Sequence, residues 1–408
     1  MNSTLSERTQ YSNLVTRTEA SRRLQLLAPD AVKVRVLHCP PLNAVMRFWA
    51  LAKAEGVRPL SIFSPRAIDM RWFVFVLLLS LIPTPAAFPA SSPGYHIIKT
   101  WKLGGEGGWD YLTIDPDARR LYISRAVKVI VIDADSGKPV GEISDTPGVH
   151  GIALVPEMGK GFVSNGRENT VSVFDLKTLN TTQKIKVGNG PDAILYDPAT
   201  KRVFTFNAHS QDATAIDADK ESVVGTIPLG SKPEFAQSDA KGTIFVNMEE
   251  KNSLYALDPA KLTVKSRWAL PGCEGPTGLA IDRPHRRLFS GCDKIMAITD
   301  ADSGQEVANP PVGDGVDATS YDDETGLAFA SAGEGKLTVV QSEGGNHYRV
   351  AEEVATQRGA RTMALDPKTH NLYLATAQFG PPPAPTAENP HPRPAILPGS
   401  FVVLVVAK

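Results

Sequence analysis

The chain of 408 residues carries 43 Lys and Arg against 44 Asp and Glu, a formal net charge of −1, and 42% of its residues are hydrophobic. This hydrophobic content is ample for a large core. The balanced charge, with no long run of like charges and no interleaving of basic with aromatic residues, argues against a nucleic-acid partner.

Residues 70–90, MRWFVFVLLLSLIPTPAAFPA, have the build of a secretory leader. A short basic start precedes an apolar run at residues 72–82, and small residues and prolines follow. The run is about half the roughly 20 residues that a membrane-spanning helix needs, but it suits a signal peptide. We therefore predict a signal peptide at 70–90, no permanent membrane span, and a bacterial protein that is periplasmic or secreted.

Residues 1–69 differ in character from the rest of the chain. They hold ten Lys and Arg against five Asp and Glu, whereas the remainder holds 33 against 39. Because a signal peptide works at the start of a polypeptide, we interpret this segment as spurious upstream sequence, with translation beginning at Met70. The alternative is a genuine, disordered basic tail. Processing is expected between about Ala86 and Ser91, which leaves residues 91–408 as one domain.

The remaining chain contains a repeat in which an apolar strand ends at an aspartate or its equivalent and a turn follows. Seven copies are present, with spacings of 40, 42, 42, 43, 40 and 44 residues. Their marker positions are Asp115, Val155, Asp197, Asp239, Asp282, Asp322 and Asp366. A period in the low forties with short alternating strands predicts an all-β fold, a seven-bladed β-propeller.

Each repeat continues with three further strands, but the seventh ends at its third strand, SFVVLVVAK. Residues 96–103, HIIKTWKL, precede the first repeat and have the character of a fourth strand. We therefore predict that this N-terminal strand pairs with the C-terminal strand and closes the ring, which removes open sheet edges. A monomer is expected.

Residues 161–198, GFVSNGRENTVSVFDLKTLNTTQKIKVGNGPDAILYDP, resemble the YVTN-type (YncE-like) repeat of exported bacterial propellers. The slot that names the family is Val163-Ser164-Asn165 in this chain, and the repeats of blades four to six depart from the pattern. The resemblance implies an exported seven-bladed propeller. Most members of that family have no assigned biochemical function, and the resemblance supplies no catalytic triad.

The first strand of each propeller blade lines the central channel, so residues five before each marker should ring one mouth. They are Asp110, His150, Asp192, Glu234, Thr277, Asp317 and Arg361. Oxygen and nitrogen ligands of this kind suit a divalent cation, which is the one candidate cofactor. We predict a metal among Asp110, His150, Asp192 and Glu234, with Asp317 and Arg361 orienting a ligand. The alternative is that these groups only hydrate the mouth.

Two loops should reach the same face. His209, between the second and third strands of blade three, is a candidate base or ligand, and the alternative is a solvated loop histidine. The insert at 379–399, FGPPPAPTAENPHPRPAILPG, is too rich in proline for a flexible linker. Its stiffness suggests a flap over the mouth or a docking arm, against the alternative of a surface loop without a role.

Cys273 and Cys292 are the two cysteines of residues 91–408, because Cys39 lies upstream. Cys273 precedes the first strand of blade five and Cys292 follows the second, so an antiparallel hairpin brings both to one rim. We predict a disulfide between them, as an exported protein permits.

Two classes of function remain open from the sequence. The first is an exported propeller that binds a small-molecule ligand or a partner protein at the channel mouth, with no catalysis assured. The second is a metal-dependent, lactonase-like hydrolase that uses the acidic and histidine ring to polarise a carbonyl. The sequence has no G-x-S-x-G nucleophile motif, which favours binding over catalysis.

Overall fold

The computed structural model describes residues 94–384, 386 and 392–408. The predicted leader at 70–90, the segment 1–69, and residues 385 and 387–391 of the proline-rich insert lie outside this part. No helix within it is long and apolar enough to cross a bilayer.

The described residues form seven antiparallel sheets of four strands each. The strands are linked in chain order within each of the first six blades, so each blade is a meander. The fold is a seven-bladed β-propeller, and the prediction from the repeat is confirmed.

Strand β1 (His96–Lys102) precedes the first complete blade. Blade 1 consists of β2 (Trp109–Asp115), β3 (Arg120–Arg125), β4 (Lys128–Asp133) and β5 (Pro139–Ile143). Blade 2 consists of β6 (Val149–Val155), β7 (Lys160–Asn165), β8 (Thr170–Asp175) and β9 (Thr181–Lys186). Blade 3 consists of β10 (Pro191–Asp197), β11 (Arg202–Asn207), β12 (Asp212–Asp217) and β13 (Ser222–Pro228).

Blade 4 consists of β14 (Pro233–Ser238), β15 (Ile244–Met248), β16 (Ser253–Asp258) and β17 (Thr263–Ala269). Blade 5 consists of β18 (Leu279–Asp282), β19 (Arg287–Gly291), β20 (Met296–Asp300) and β21 (Glu306–Ala308). Blade 6 consists of β22 (Val316–Asp322), β23 (Leu327–Ala332), β24 (Lys336–Gly344) and β25 (His347–Ala355). Blade 7 contains β26 (Thr362–Leu365), β27 (Leu372–Thr376) and β28 (Val402–Ala407). Two short 3₁₀ turns, Pro156–Met158 and Glu249–Lys251, follow β6 and β15.

The seventh blade is completed by the N-terminal strand. Strand β1 pairs antiparallel with β28, from His96 opposite Ala407 to Lys102 opposite Val402. The two ends of the domain therefore share one sheet, as the sequence predicts.

Burial changes systematically from the channel outward. The first strands are partly accessible along the channel, the second and third strands are almost wholly buried, and the fourth strands are mostly exposed. In β23 every residue is buried. Both faces of each middle strand pack against neighbouring blades, which explains why a sequence such as VVLVVA of β28 is a continuous apolar run.

The marker aspartates of the repeat link successive blades. Five of them accept a hydrogen bond from the following blade, given by Ser238 to Asp197, Arg286 to Asp239, Tyr321 to Asp282, His370 to Asp322, and Arg119 to Asp366. All five carboxylates are buried. Asp366 and Arg119 join blade 7 to blade 1 at 2.5 Å, which ties the closing blade into the ring. The repeat signal therefore marks structural contacts at the end of the channel opposite the candidate site.

The two cysteines lie at the mouth end of blade 5. Cys273 and Cys292 form a disulfide with their Cα atoms 5.3 Å apart. Both side chains are buried in the core shared by blades 4 and 5. The bond therefore joins the loop before β18 to the end of β19.

Candidate functional site at the channel mouth

The ring positions lie where the first strands begin, and the pairing there is irregular. The register between first and second strands shifts at Trp109/Leu112, Val149/Ile152, Pro191/Ile194, Pro233/Ala236 and Val316/Ala318. Each shift spans or adjoins one of the acidic or histidine positions. Such irregularities bend a strand and redirect its side chains. The acidic and histidine side chains at the mouth therefore depart from the regular alternation of a β-strand.

Polar residues at the ends of the second strands hold this irregular backbone. Ser164 donates to the carbonyl of Asp192 at 2.5 Å, Asn247 donates to that of Thr277 at 2.9 Å, and Ser331 donates to that of Arg361. In each case the donor belongs to one blade and the acceptor to the next. Ser164 is the middle residue of the Val-Ser-Asn slot, so this slot positions the following ring residue.

Three of the predicted ligands come together from successive blades. His150 Nδ1 lies 2.6 Å from Asp110 Oδ2 and 3.6 Å from Asp192 Oδ1. One ligand atom of each residue falls within 4.8 Å of the other two. The imidazole thus lies between two carboxylates, and we call these three residues the acidic triad.

The electrostatics of the acidic triad follow from crowding and burial. Burial lowers the pKa of His150, but the hydrogen bond to Asp110 and the charge of Asp192 outweigh it and raise that pKa overall. Burial raises the pKa of Asp192, although the charge of His150 opposes the change. The neighbouring carboxylates therefore favour the protonated, cationic form of His150.

Glu234, the fourth predicted ligand, has a different partner. Its Oε2 lies 3.1 Å from Lys232 Nζ, and Lys232 also pairs with Glu249. Burial raises the pKa of Glu234 to about 8, with a further contribution from the charge of Asp192. Glu234 lies outside the group of three whose ligand atoms converge.

The other side of the ring carries a second ion pair. Arg361 Nη1 lies 3.2 Å from Asp317 Oδ2. Burial raises the pKa of Asp317 to about 6, although the charge of Arg361 opposes it. Between the two acidic sectors, Thr277 donates to the carbonyl of Val316 at 2.8 Å. Asp317 and Arg361 thus form a pair of their own, apart from the triad.

A cavity of about 440 Å³ runs along the channel below the mouth. Asp110, Glu234 and Asp317 line it together with apolar residues of the first strands. Tyr111 of blade 1 stacks on Phe235 of blade 4, with ring centroids 5.4 Å apart. Two blades that are not neighbours in the ring therefore meet across the channel.

His209 does not join the acidic triad. Its side chain is exposed, and its ring packs over Gly190, two residues before Asp192. Gly190 has φ +62, and a Cβ there would lie 2.6 Å from His209 Nδ1. His209 therefore borders the loop that carries Asp192.

The proline-rich insert also reaches the mouth. Phe379 and Ile396 form a β-bridge at its base, supported by hydrogen bonds from Gly380 to Ala395 and from Leu397 to Gln378, both 2.8 Å. Phe379 packs near Trp109, the residue before Asp110, with centroids 6.2 Å apart. The described base of the insert thus contacts the strand that presents Asp110.

Sequence reasoning missed two residues of this site, Lys232 and Tyr111. Lys232 lies in the loop between blades 3 and 4, outside the repeated strand pattern. Tyr111 follows a ring position and reads as an ordinary aromatic strand residue. Its one signal was its place beside Asp110 on a first strand.

Fold and site together define the class of protein, a seven-bladed propeller with a charged channel mouth. The family described as "Domain of unknown function (DUF5074)" matches residues 113–276, which is less than half of the chain. No curated protein matches the sequence.

Among solved structures, the chain is similar to "Kuenenia stuttgartiensis Hydrazine Synthase", with a TM-score of 0.59 and 16% sequence identity. The alignment covers 71% of this chain and 95% of that one. At this identity the similarity concerns the fold alone.

Proposed function

We propose that this protein is an exported propeller, similar to the YVTN-type repeat proteins, that binds a small ligand at its channel mouth, where the acidic triad would hold a divalent cation. The observation that carries the proposal is the convergence of Asp110, His150 and Asp192 from three successive blades. The adjoining cavity of about 440 Å³ has the size of a small-molecule site. No nucleophile motif accompanies the triad, so binding is favoured over catalysis.

Export is part of the same proposal. The leader at 70–90 motivates it, and the disulfide supports it, because such bonds persist in oxidising compartments. We propose a periplasmic or secreted monomer, with the insert at 379–399 as the alternative docking surface for a partner protein.

A thermal-shift screen of purified residues 91–408 tests the binding proposal. Divalent cations and small organic ligands are added singly, and the parent is compared with Asp192→Asn and His150→Ala. A ligand of the mouth should raise the melting temperature of the parent and lose that effect in both variants. Equal shifts in all three proteins would contradict the proposal. Asp219→Asn, an exposed change on the opposite face, is the matched control.

A metal-dependent, lactonase-like hydrolase is the second candidate, and the spacing of the triad favours it. Imidazole and two carboxylates are suitable ligands for a divalent transition metal, which would polarise a lactone or ester carbonyl. A bound cation would compete with protonation of His150, because metal-ligand groups must be deprotonated.

Hydrolysis of γ- and δ-lactones by protein loaded with zinc or manganese tests this candidate. Activity that needs metal and is lost in His150→Ala would support it. Metal binding without turnover of any lactone or ester would contradict the hydrolase candidate and favour ligand binding without catalysis.

A further inference from the structure

A second cavity, of about 400 Å³, lies at the mouth between blade 7, blade 1 and the proline-rich insert. We call it the arginine pocket. The residues that give it its character are Arg358, Arg361, Arg393, Trp109, Phe379 and Ile396. None of them belongs to the acidic triad.

Three guanidinium groups border this one cavity. Arg361 is paired with Asp317. Among the described residues, neither Arg358 nor Arg393 has a carboxylate partner, and both are exposed. Like charges gathered around a cavity repel one another, so the pocket favours an anion that neutralises them.

The remaining walls are apolar and aromatic. Trp109 and Phe379 are both half-buried, and Trp109 also packs on the buried Phe401 at 5.3 Å. The guanidinium carbon of Arg125 lies over the Phe401 ring, 3.9 Å from its centroid. Ile396 is fixed opposite Phe379 by their β-bridge. These surfaces suit the flat or apolar body of an organic molecule.

The backbone that presents the arginines is held in place. Thr376 donates to the carbonyl of Arg358 at 2.7 Å, and Ser331 donates to that of Arg361. Between them, Gly359 has φ +82 and donates to the carbonyl of Gly333 at 2.8 Å. A Cβ on Gly359 would lie 2.6 Å from the Phe379 ring, so glycine lets the aromatic wall approach the arginine loop.

We propose that the arginine pocket binds a small organic oxyanion, a carboxylate or phosphate monoester attached to an aromatic or apolar body. Guanidinium groups pair with such oxyanions through two parallel hydrogen bonds, and they also stack on aromatic surfaces. The volume lies within the range of small-molecule sites. This inference goes beyond the proposed function, because it assigns a second site at the mouth that uses no group of the triad.

Titration calorimetry of purified residues 91–408 tests the inference with four probes. The anions are 2-naphthoate and 2-naphthyl phosphate, and the uncharged counterparts are 2-naphthamide and 2-naphthol. We expect at least one anion to bind at least tenfold more tightly than its uncharged counterpart. The two anions distinguish a carboxylate site from a phosphate site. Equal affinity of charged and uncharged probes, or no binding of either anion at millimolar concentration, would overturn the inference.

The matched variants place the bound anion. Arg358→Gln combined with Arg393→Gln should weaken binding at least tenfold, and because both side chains are exposed the fold should survive, as circular dichroism will show. Arg167→Gln removes an exposed arginine at the same face of blade 2 and should bind like the parent. Unchanged binding by the double variant would overturn the inference. Anion binding that persists in Asp192→Asn separates this pocket from the triad, so either site can fail alone.

Discussion

His150 Nδ1 and Asp110 Oδ2 lie 2.6 Å apart, although the two residues belong to different blades and are separated by 40 positions in the chain. The repeat places both at the start of a first strand, and the register shift in each strand frees the side chain. Their contact, with Asp192 on the other side of the imidazole, is the basis of the proposed binding site.

The first prediction concerns stability and pH in the absence of metal. The pKa of Glu234 is raised from 4.5 to about 8 and that of Asp317 from 3.8 to about 6, while that of His150 is also raised. Between about pH 5.5 and pH 8 the folded state therefore binds more protons than the unfolded state. The free energy of unfolding should fall as pH rises from about 5.5 to about 8. Urea denaturation at both pH values measures it.

Glu234→Gln provides the internal test of that prediction. The substitution removes one of the groups with a raised pKa, so the fall in stability with pH should become smaller. Glu250→Gln, an exposed change nearby, should leave the pH dependence as it is. An equal effect of both substitutions, or a parent whose stability rises with pH, would show that the mouth groups do not titrate as described.

The second prediction concerns the link between blades 7 and 1. Arg119 contacts both the buried Asp366, at 2.5 Å, and the exposed Asp135, at 2.7 Å. Asp366→Asn should lower the free energy of unfolding by about 2 kcal/mol, because a buried partner of a charged group is lost. Asp135→Asn should cost about 0.5 kcal/mol or less, as exposed pairs do. Equal costs in denaturant titrations would contradict the role given to the marker aspartates.

The third prediction concerns the disulfide. Cys273 and Cys292 are 19 residues apart, and closing a loop of that size stabilises by about 3 kcal/mol in the chain-entropy model. Thiol labelling of the unreduced, denatured residues 91–408 should therefore find no free cysteine. The double variant Cys273→Ser, Cys292→Ser should unfold at lower denaturant concentration. Two reactive thiols in the parent would rule out the bond.

The fourth prediction concerns the start of the mature protein. If residues 70–90 are a signal peptide, mass spectrometry of protein from the native cell envelope or medium should find an N-terminus at residues 86–92. A peptide from residues 1–69 in the same sample would refute the interpretation of that segment.

The blade count, strand order and ring closure could be predicted because each depends on a period that the sequence repeats. The ring positions followed from the same register, since a fixed offset from each marker reaches the same height in the channel. The register does not predict which of these side chains contact one another. That Asp110, His150 and Asp192 converge while Glu234 turns to Lys232 depends on side-chain directions and on a loop outside the repeat.

The contacts between residues on different sides of the ring also could not be predicted from the sequence. Tyr111 and Phe235 stack from blades 1 and 4, and no local pattern indicates that pairing. Likewise Arg358 and Arg393 share one cavity only because the described base of the proline-rich insert lies against the loop after β25. The insert's composition indicated stiffness, but it did not indicate what its base would enclose.

The most direct test of the central claim is anomalous diffraction from crystals soaked in manganese or zinc chloride. The account predicts one strong peak between Asp110, His150 and Asp192, about 2.0–2.2 Å from their ligand atoms for zinc, and its loss in Asp192→Asn crystals. A mouth without a peak, in which His150 keeps its hydrogen bond to Asp110 at saturating metal, would contradict the account and leave the acidic triad as a structural contact between blades.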